Sequence, residues 1–85
     1  MNIKKYNVII KPIAEKDLKS IDKKNAIKIL NKIIGLENGL NGDIKKLTDF
    51  TPEYRLRFGD YRILFEIHKD TLIIYRVVHR KESYK

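Results

Sequence analysis

The chain predicts an α+β fold: an N-terminal strand, a two-helix antiparallel hairpin, then a three- to four-stranded antiparallel twisted sheet. Three observations carry that expectation. Residues 54–67, Tyr-Arg-Leu-Arg-Phe-Gly-Asp-Tyr-Arg-Ile-Leu-Phe-Glu-Ile, alternate on either side of Gly59-Asp60, with Leu64 the one break. This is the pattern of a β-hairpin closed by a type II′ turn, with glycine where positive φ is needed. Upstream, residues 12–39 hold two segments with helical apolar spacing, and downstream residues 72–79, Leu-Ile-Ile-Tyr-Arg-Val-Val-His, form an apolar β-rich run.

In chain order, Asn2 to Lys11 alternates through Tyr6, Val8 and Ile10 and reads as the opening strand, with Ile3 extending it. Pro12 ends that strand and suits the first position of a helix, on which Ala14, Leu18 and Ile21 share a face. Asp22 is a good N-cap for a second helix, with Ala26, Ile27, Leu30, Ile33 and Ile34 as its apolar stripe and Lys24, Lys28 and Lys32 opposite. Gly35 weakens the end of this helix and Gly39 closes it. Ile44 to Leu47 reads as a short edge strand, and Thr48 to Pro52 as a loop. After the hairpin, His68 to Thr71 forms a turn whose length stays open, and with it the face that holds Arg76. Leu72 to His79 has apolar residues at both parities, which indicates burial on both faces and a central strand. A polar tail follows from Arg80 to Lys85.

A two-residue turn fixes the hairpin register. Phe58 faces Tyr61, Arg57 faces Arg62, Leu56 faces Ile63 and Tyr54 faces Phe65. Tyr54, Leu56, Phe58, Tyr61, Ile63, Phe65 and Ile67 then share one face, and Arg55, Arg57 and Arg62 the other. Directly opposed like charges cost a few tenths to about 1 kcal/mol per pair. A sheet face that accepts this cost concentrates cations on a rigid support. Guanidinium forks bind phosphate bidentately and keep their charge, so a polyanion is the expected partner.

The 85 residues make one small domain, 1–85, able to bury about two-thirds of the surface its unfolded chain exposes. With no cysteine, neither disulfides nor a Cys-based zinc site can reinforce it, so the fold rests on its apolar core. Nineteen Lys and Arg against eleven Asp and Glu give a net charge of +8, which favours nucleic acid or an acidic protein partner. The apolar runs are too short for a membrane span and the N-terminus lacks a signal-peptide pattern, so a cytoplasmic location is expected. The chain holds no GxSxG, P-loop, HExxH or dinucleotide fingerprint, and His68 and His79 do not suggest a metal site. No cofactor and no metal are expected.

What remains is chemistry run by cations and a phenol. RNA cleavage at neutral pH needs the 2′-OH to attack its neighbouring phosphate in line, with charge stabilised on the equatorial oxygens and protons removed and delivered. Arg55, Arg57, Arg62 and Arg80 suit the charge stabilisation, and Tyr84 suits stacking on a base or donating a hydrogen bond. Lys45 and Lys46 suit phosphate contacts. Either would become a candidate base if surrounding positive charge depressed its pKa. His79, beside Arg80, is a further RNA-contact and proton-transfer candidate.

Leu47, then Tyr54-Arg-Leu-Arg-Phe-Gly-Asp-Tyr-Arg-Ile, then Val77-Val-His-Arg-Lys-Glu-Ser-Tyr84, resembles the RelE/ParE superfamily of toxins, on its RelE-like branch. The resemblance extends to the N-terminal strand, the Asp17-Leu18 helix and the second helix. It implies a small α+β toxin of a type II toxin–antitoxin system that cuts mRNA in the ribosomal A site and is silenced by a cognate RelB-like antitoxin, in a toxin–antitoxin hetero-oligomer. It also implies that Arg62 supports the transition state, and that Arg80 and Tyr84 act on the leaving group and stack on the substrate base. The chain departs from the pattern at Arg55 and Arg57, which stand where the best-understood RelE-type enzyme has lysines. Arginine is not a practical base, so Lys45, Lys46 and His79 are the candidates for that role. The same resemblance admits two alternatives, a ParE-like DNA gyrase inhibitor and an inactive antitoxin-binding relative.

Overall fold

A computed structural model describes residues 5–40, 42–47 and 51–79. Strand β1 (Asn7–Ile10) is followed by helices α1 (Pro12–Ser20) and α2 (Lys23–Gly35) and a 3-10 turn at Leu36–Asn38. Strands β2 (Asp43–Lys46), β3 (Tyr54–Phe58), β4 (Tyr61–His68) and β5 (Thr71–His79) complete the order. All five strands join one sheet in the order β1-β5-β4-β3-β2. The α+β class and the C-terminal antiparallel meander are as expected, with β2 as the edge strand. The opening strand adds a fifth member, parallel to β5, with Asn7 beside Thr71 and Ile10 beside Ile74.

Local chemistry explains the element ends. Pro12 takes the first turn of α1, where its missing N–H would have had no intrahelical partner. Asp22 caps α2 by accepting the Asn25 backbone N–H at 3.2 Å, and Asn25 Nδ2 donates to its other oxygen at 2.9 Å. The Asn25 side-chain bond, followed by the backbone bond, holds the Asp22 carboxyl below its ordinary value. Gly59 has φ +58° at the first turn position of the β3–β4 hairpin, as a type II′ turn requires.

The core lies between the helices and one sheet face. Ala14, Ile29, Ile33 and Leu36 pack from the helical side against Leu56, Ile63, Phe65, Leu72, Ile74 and Val77. Each large member contributes about 1.5–3 kcal/mol by leaving water, a large share of a small domain's net stability. Asp17 on α1 adds a polar tie to β5. Its carboxylate accepts Arg76 Nε at 2.7 Å, Arg76 Nη2 at 3.1 Å and the Val77 N–H at 2.9 Å.

Two sequence expectations need correction. In β5, burial falls on Leu72, Ile74 and then Val77, so the alternation changes phase. The β4–β5 register shifts there: Phe65 pairs with Ile74 and Leu64 with Arg76, leaving Tyr75 as a bulge residue. The mixed parity that suggested burial on both faces is the imprint of this bulge, although β5 does lie inside the sheet, between β1 and β4. In α2, Ile29 and Ile33 are the buried residues, while Ile27, Leu30 and Ile34 of the expected core stripe are exposed. One helix resting on a sheet buries only part of its circumference, and here the apolar arc is wider than the contact. The expected strand extension at Ile3 lies outside the described residues.

Candidate nucleic-acid interface

The site is built by strand register. Arg57 lies directly opposite Arg62, Arg55 opposite Leu64 and Leu56 opposite Ile63. Because Leu56 and Ile63 point into the core, Arg55, Arg57 and Arg62 point to the face without helices. Arg57 is exposed, and Arg55 and Arg62 are half-buried, their stems lying on the sheet.

Two rows cross this face. The first runs Asp43, Arg57, Arg62, Val78 and the second Lys45, Arg55, Leu64, Arg76. Cations therefore run from Lys45 on β2 through Arg55 and Arg57 on β3 to Arg62 on β4, beside half-buried Leu64 and Val78, while Arg76 on β5 is engaged by Asp17. Asp43 was not anticipated from the sequence. It flanks Arg57 on the side away from Arg62 and tempers the like-charge pair without separating it.

The structure divides the remaining sequence candidates. Lys45 joins the arginine face through its pairing with Arg55. Lys46 pairs with Tyr54, on the opposite face, where its Nζ lies 5.9 Å from the Tyr54 ring and 3.7 Å from Glu53. His79 also turns away from the arginines. It pairs with Tyr61, edge-on at 5.4 Å between ring centroids, and borders a polar cleft with Asp17, Ser20 and Asp22 on the helical side. Arg80 and Tyr84 lie outside the described residues.

A second polar group on the arginine face escaped the sequence reading. Glu66 accepts from Tyr75 Oη at 3.3 Å and meets His68 Nε2 at 3.1 Å, while Lys11 Nζ sits 4.5 Å from the Tyr75 ring centroid. Partial burial, followed by the nearby Glu66 carboxylate, raises the Tyr75 phenol above its ordinary value. The Glu66/His68 spacing of two along a strand was a readable signal. The Tyr75 contribution was not, because it depends on the bulge. Among the described residues, no cluster of three or more His, Cys, Asp or Glu is arranged to hold a metal ion. No helix among them is long and apolar enough to cross a membrane.

Chemically, the face offers charge in a fixed array. Opposed side chains on paired strands stand about 5 Å apart at Cβ, so Arg57 and Arg62 together can bracket one phosphate while Arg55 and Lys45 reach a neighbouring one. The adjoining apolar strip on Leu64 and Val78 provides a dry surface beside those charges.

Comparison with known proteins agrees with this architecture. Residues 8–84 match the family described as the ParE toxin of the type II toxin-antitoxin system, parDE. The chain is 40% identical over 74 residues to Toxin RelE3 of Methanocaldococcus jannaschii, covering 81% of this chain and 84% of that protein. Its fold is similar to the RelB-RelE antitoxin-toxin complex of Methanococcus jannaschii, with TM-score 0.76 and 35% identity, over 89% of this chain and 94% of the other. It is also similar to the archaeal RelE-RelB complex of Pyrococcus horikoshii, with TM-score 0.76 and 25% identity, over 93% and 99% of the two chains.

Proposed function

The chain belongs to the RelE/ParE superfamily of type II toxin–antitoxin toxins, and from that membership we propose that it is a ribosome-dependent mRNA endonuclease silenced by a RelB-like antitoxin. The observation that carries this reading is the directly opposed Arg57–Arg62 pair, with Arg55 beside it, on a helix-free sheet face. A pair that costs stability in the free protein is well used when a phosphate sits between its members.

In this reading the arginines hold the scissile phosphate and stabilise charge on its equatorial oxygens as the 2′-oxygen attacks phosphorus. The O2′–P bond forms, the P–O5′ bond breaks, the 2′-OH proton passes to a base and the departing 5′-oxygen receives a proton. Arg55 and Arg57 do not serve as that base. Lys45 is the base candidate that shares their face, whereas Lys46 and His79 lie on the other. Arg80 and Tyr84 keep the leaving-group and stacking roles that the superfamily resemblance gives them. The whole chain, 1–85, acts as one toxin domain, in the cytoplasm where translated mRNA is found, and is stored as a toxin–antitoxin hetero-oligomer.

Primer extension on transcripts from cells expressing the chain tests this. Codon-phased cuts within translated regions are expected, and are lost in Arg62→Ala and Arg80→Ala. Undiminished growth arrest by both variants would overturn the assignment. The match to the ParE description favours a second reading, a protein that poisons DNA gyrase without cutting RNA. DNA damage with intact transcripts would select it.

A further inference from the structure

One flank of α2 borders a cleft of about 460 Å³ that the arginine face does not use. Lys28, Asn31, Lys32 and Gly35 follow an i, i+3, i+4, i+7 spacing and so line it from a single side of the helix. Gly42 and the half-buried Phe58 form the facing wall. Lys32 Nζ lies 5.7 Å from the Phe58 ring centroid. No carboxylate stands among the described residues that line the cleft.

Gly35 singles this cleft out. Glycine weakens a helix relative to alanine, and its usual reasons are missing here. Its φ of −59° and ψ of −24° are ordinary helical values, and an added Cβ would meet nothing within 4 Å. Gly42 differs, with φ +109° and a Cβ position 2.9 Å from Leu56 Cδ1. What the missing side chain at Gly35 does is keep the cleft open.

We propose that the cleft binds an unpaired nucleotide of single-stranded RNA. Its base lies flat on Phe58 and pairs by one edge with the Asn31 amide. Lys28 and Lys32, one helical turn apart, neutralise the phosphates on its two sides. On binding, the base displaces Lys32 from the ring and the ammonium turns to its phosphate. Two cations alone fit any anion, but a flat ring beside them selects a ligand that joins phosphate to a planar base. An acidic peptide satisfies the lysines and leaves the ring unused. A duplex keeps its bases stacked inside and cannot enter. The volume lies within the range of about 300–1,000 Å³ typical of small-ligand sites. RNA as the source of the nucleotide rests on the endonuclease reading: Arg57 precedes Phe58 on β3, so one strand carries the phosphate-gripping face and the cleft on its two sides.

The test titrates the full-length chain with a short single-stranded RNA, 2′-O-methylated so that it cannot be cut. An abasic strand of the same length and AMP serve as controls. The Phe58 ring and Asn31 side-chain amide resonances should shift with the base-bearing RNA and stay in place with the abasic strand. Phe58→Leu should weaken the base-bearing strand about tenfold and leave the abasic one unchanged. Lys28→Ala/Lys32→Ala should weaken both strands and flatten the slope of log affinity against log salt by about 1.4, for two phosphates released. Gly35→Leu supplies a helix-favouring side chain, so it should keep or raise the melting temperature while it fills the cleft and weakens RNA binding about tenfold. Three affinities within about threefold of wild type would overturn the site. So would equal losses by Phe58→Leu on both strands, since no base would then lie on the ring. Shifts as large with AMP as with RNA would assign the cleft to a free nucleotide, and shifts with purified antitoxin alone to an acidic peptide. Either result would overturn the RNA assignment. Transcripts cut by a chain whose cleft resonances never move would refute the cleft and leave the endonuclease standing. RNA binding in the cleft by a chain that cuts no transcript would do the reverse.

Discussion

The β3–β4 hairpin and helix α2 are both amphipathic by pattern, yet they use their open surfaces in opposite ways. In the hairpin the apolar side chains from Tyr54 to Ile67, Leu64 excepted, point toward the helices, and the open face is largely cationic. In α2 the apolar residues divide, with Ile29 and Ile33 in the core and Ile27, Leu30 and Ile34 in solvent. A strand has only two faces, so fixing one residue assigns all the others. A helix has a continuous circumference, and how much of it a sheet covers is decided by packing geometry rather than by the helix itself. The hairpin face therefore reads as a chemical surface, and the spare arc of α2 as apolar surface left over from the core.

The sharpest way to break this comparison uses two neighbouring isoleucines. Ile33→Ala should cost about 2–5 kcal/mol in urea unfolding, because it opens a cavity in the core. Ile34→Ala, one residue along, should stay within about 0.5 kcal/mol. Equal losses would mean that α2 buries both arcs. Next in size is the polar tie between helix and sheet. Asp17→Ala leaves Arg76 and the Val77 N–H without this acceptor and should lower stability by about 2 kcal/mol.

The two hairpin turns give smaller, opposite effects. Gly59→Ala places a side chain at φ +58° with nothing crowding its Cβ, so the cost is conformational alone, about 1 kcal/mol. Lys69 already stands at φ +57° in the β4–β5 turn, and Lys69→Gly should raise stability by about 0.5 kcal/mol. Matching changes of the same sign in thermal melts would contradict this view of the turns.

The smallest effect concerns the α2 cap. Since the folded Asp22 carboxyl titrates below its ordinary 3.8, its contribution is complete above that value and disappears as pH falls through the folded one. Asp22→Ala should therefore lower Tm by a few degrees near neutrality and converge with wild type in strong acid. A Tm difference that persists through the acid range would show that the cap carboxylate is not the cause.

What the sequence made legible follows the same division. Gly59-Asp60 announces a two-residue turn, and from it every pairing between Tyr54 and Phe65 can be counted off. The Lys69-Asp70 turn is equally short, pairing His68 with Thr71, but it carries no glycine to reveal its length. That silence left Arg76 without a face, and the bulge at Tyr75 then disguised the parity of β5. Asp22 and Pro12 marked the helix starts correctly because capping is local chemistry. The pairing of β1 with β5 and the exposure of Ile27, Leu30 and Ile34 depend on contacts distant in sequence, which no local pattern encodes. Within the site, Arg55, Arg57 and Arg62 could be grouped by the hairpin register, whereas Lys45 joined them only through the β2–β3 pairing. The displacement of Lys46 and His79 to the other face followed only once β2 and β5 were aligned.

The most direct test of the central claim is the single-turnover rate of mRNA cleavage on programmed ribosomes, measured for wild type, Arg62→Ala and Ile34→Glu. If the arginine face performs the chemistry and the exposed arc of α2 takes no part in it, Arg62→Ala should slow cleavage by about 10²-fold or more, and Ile34→Glu should match wild type. Cleavage by Arg62→Ala at the wild-type rate would contradict the account.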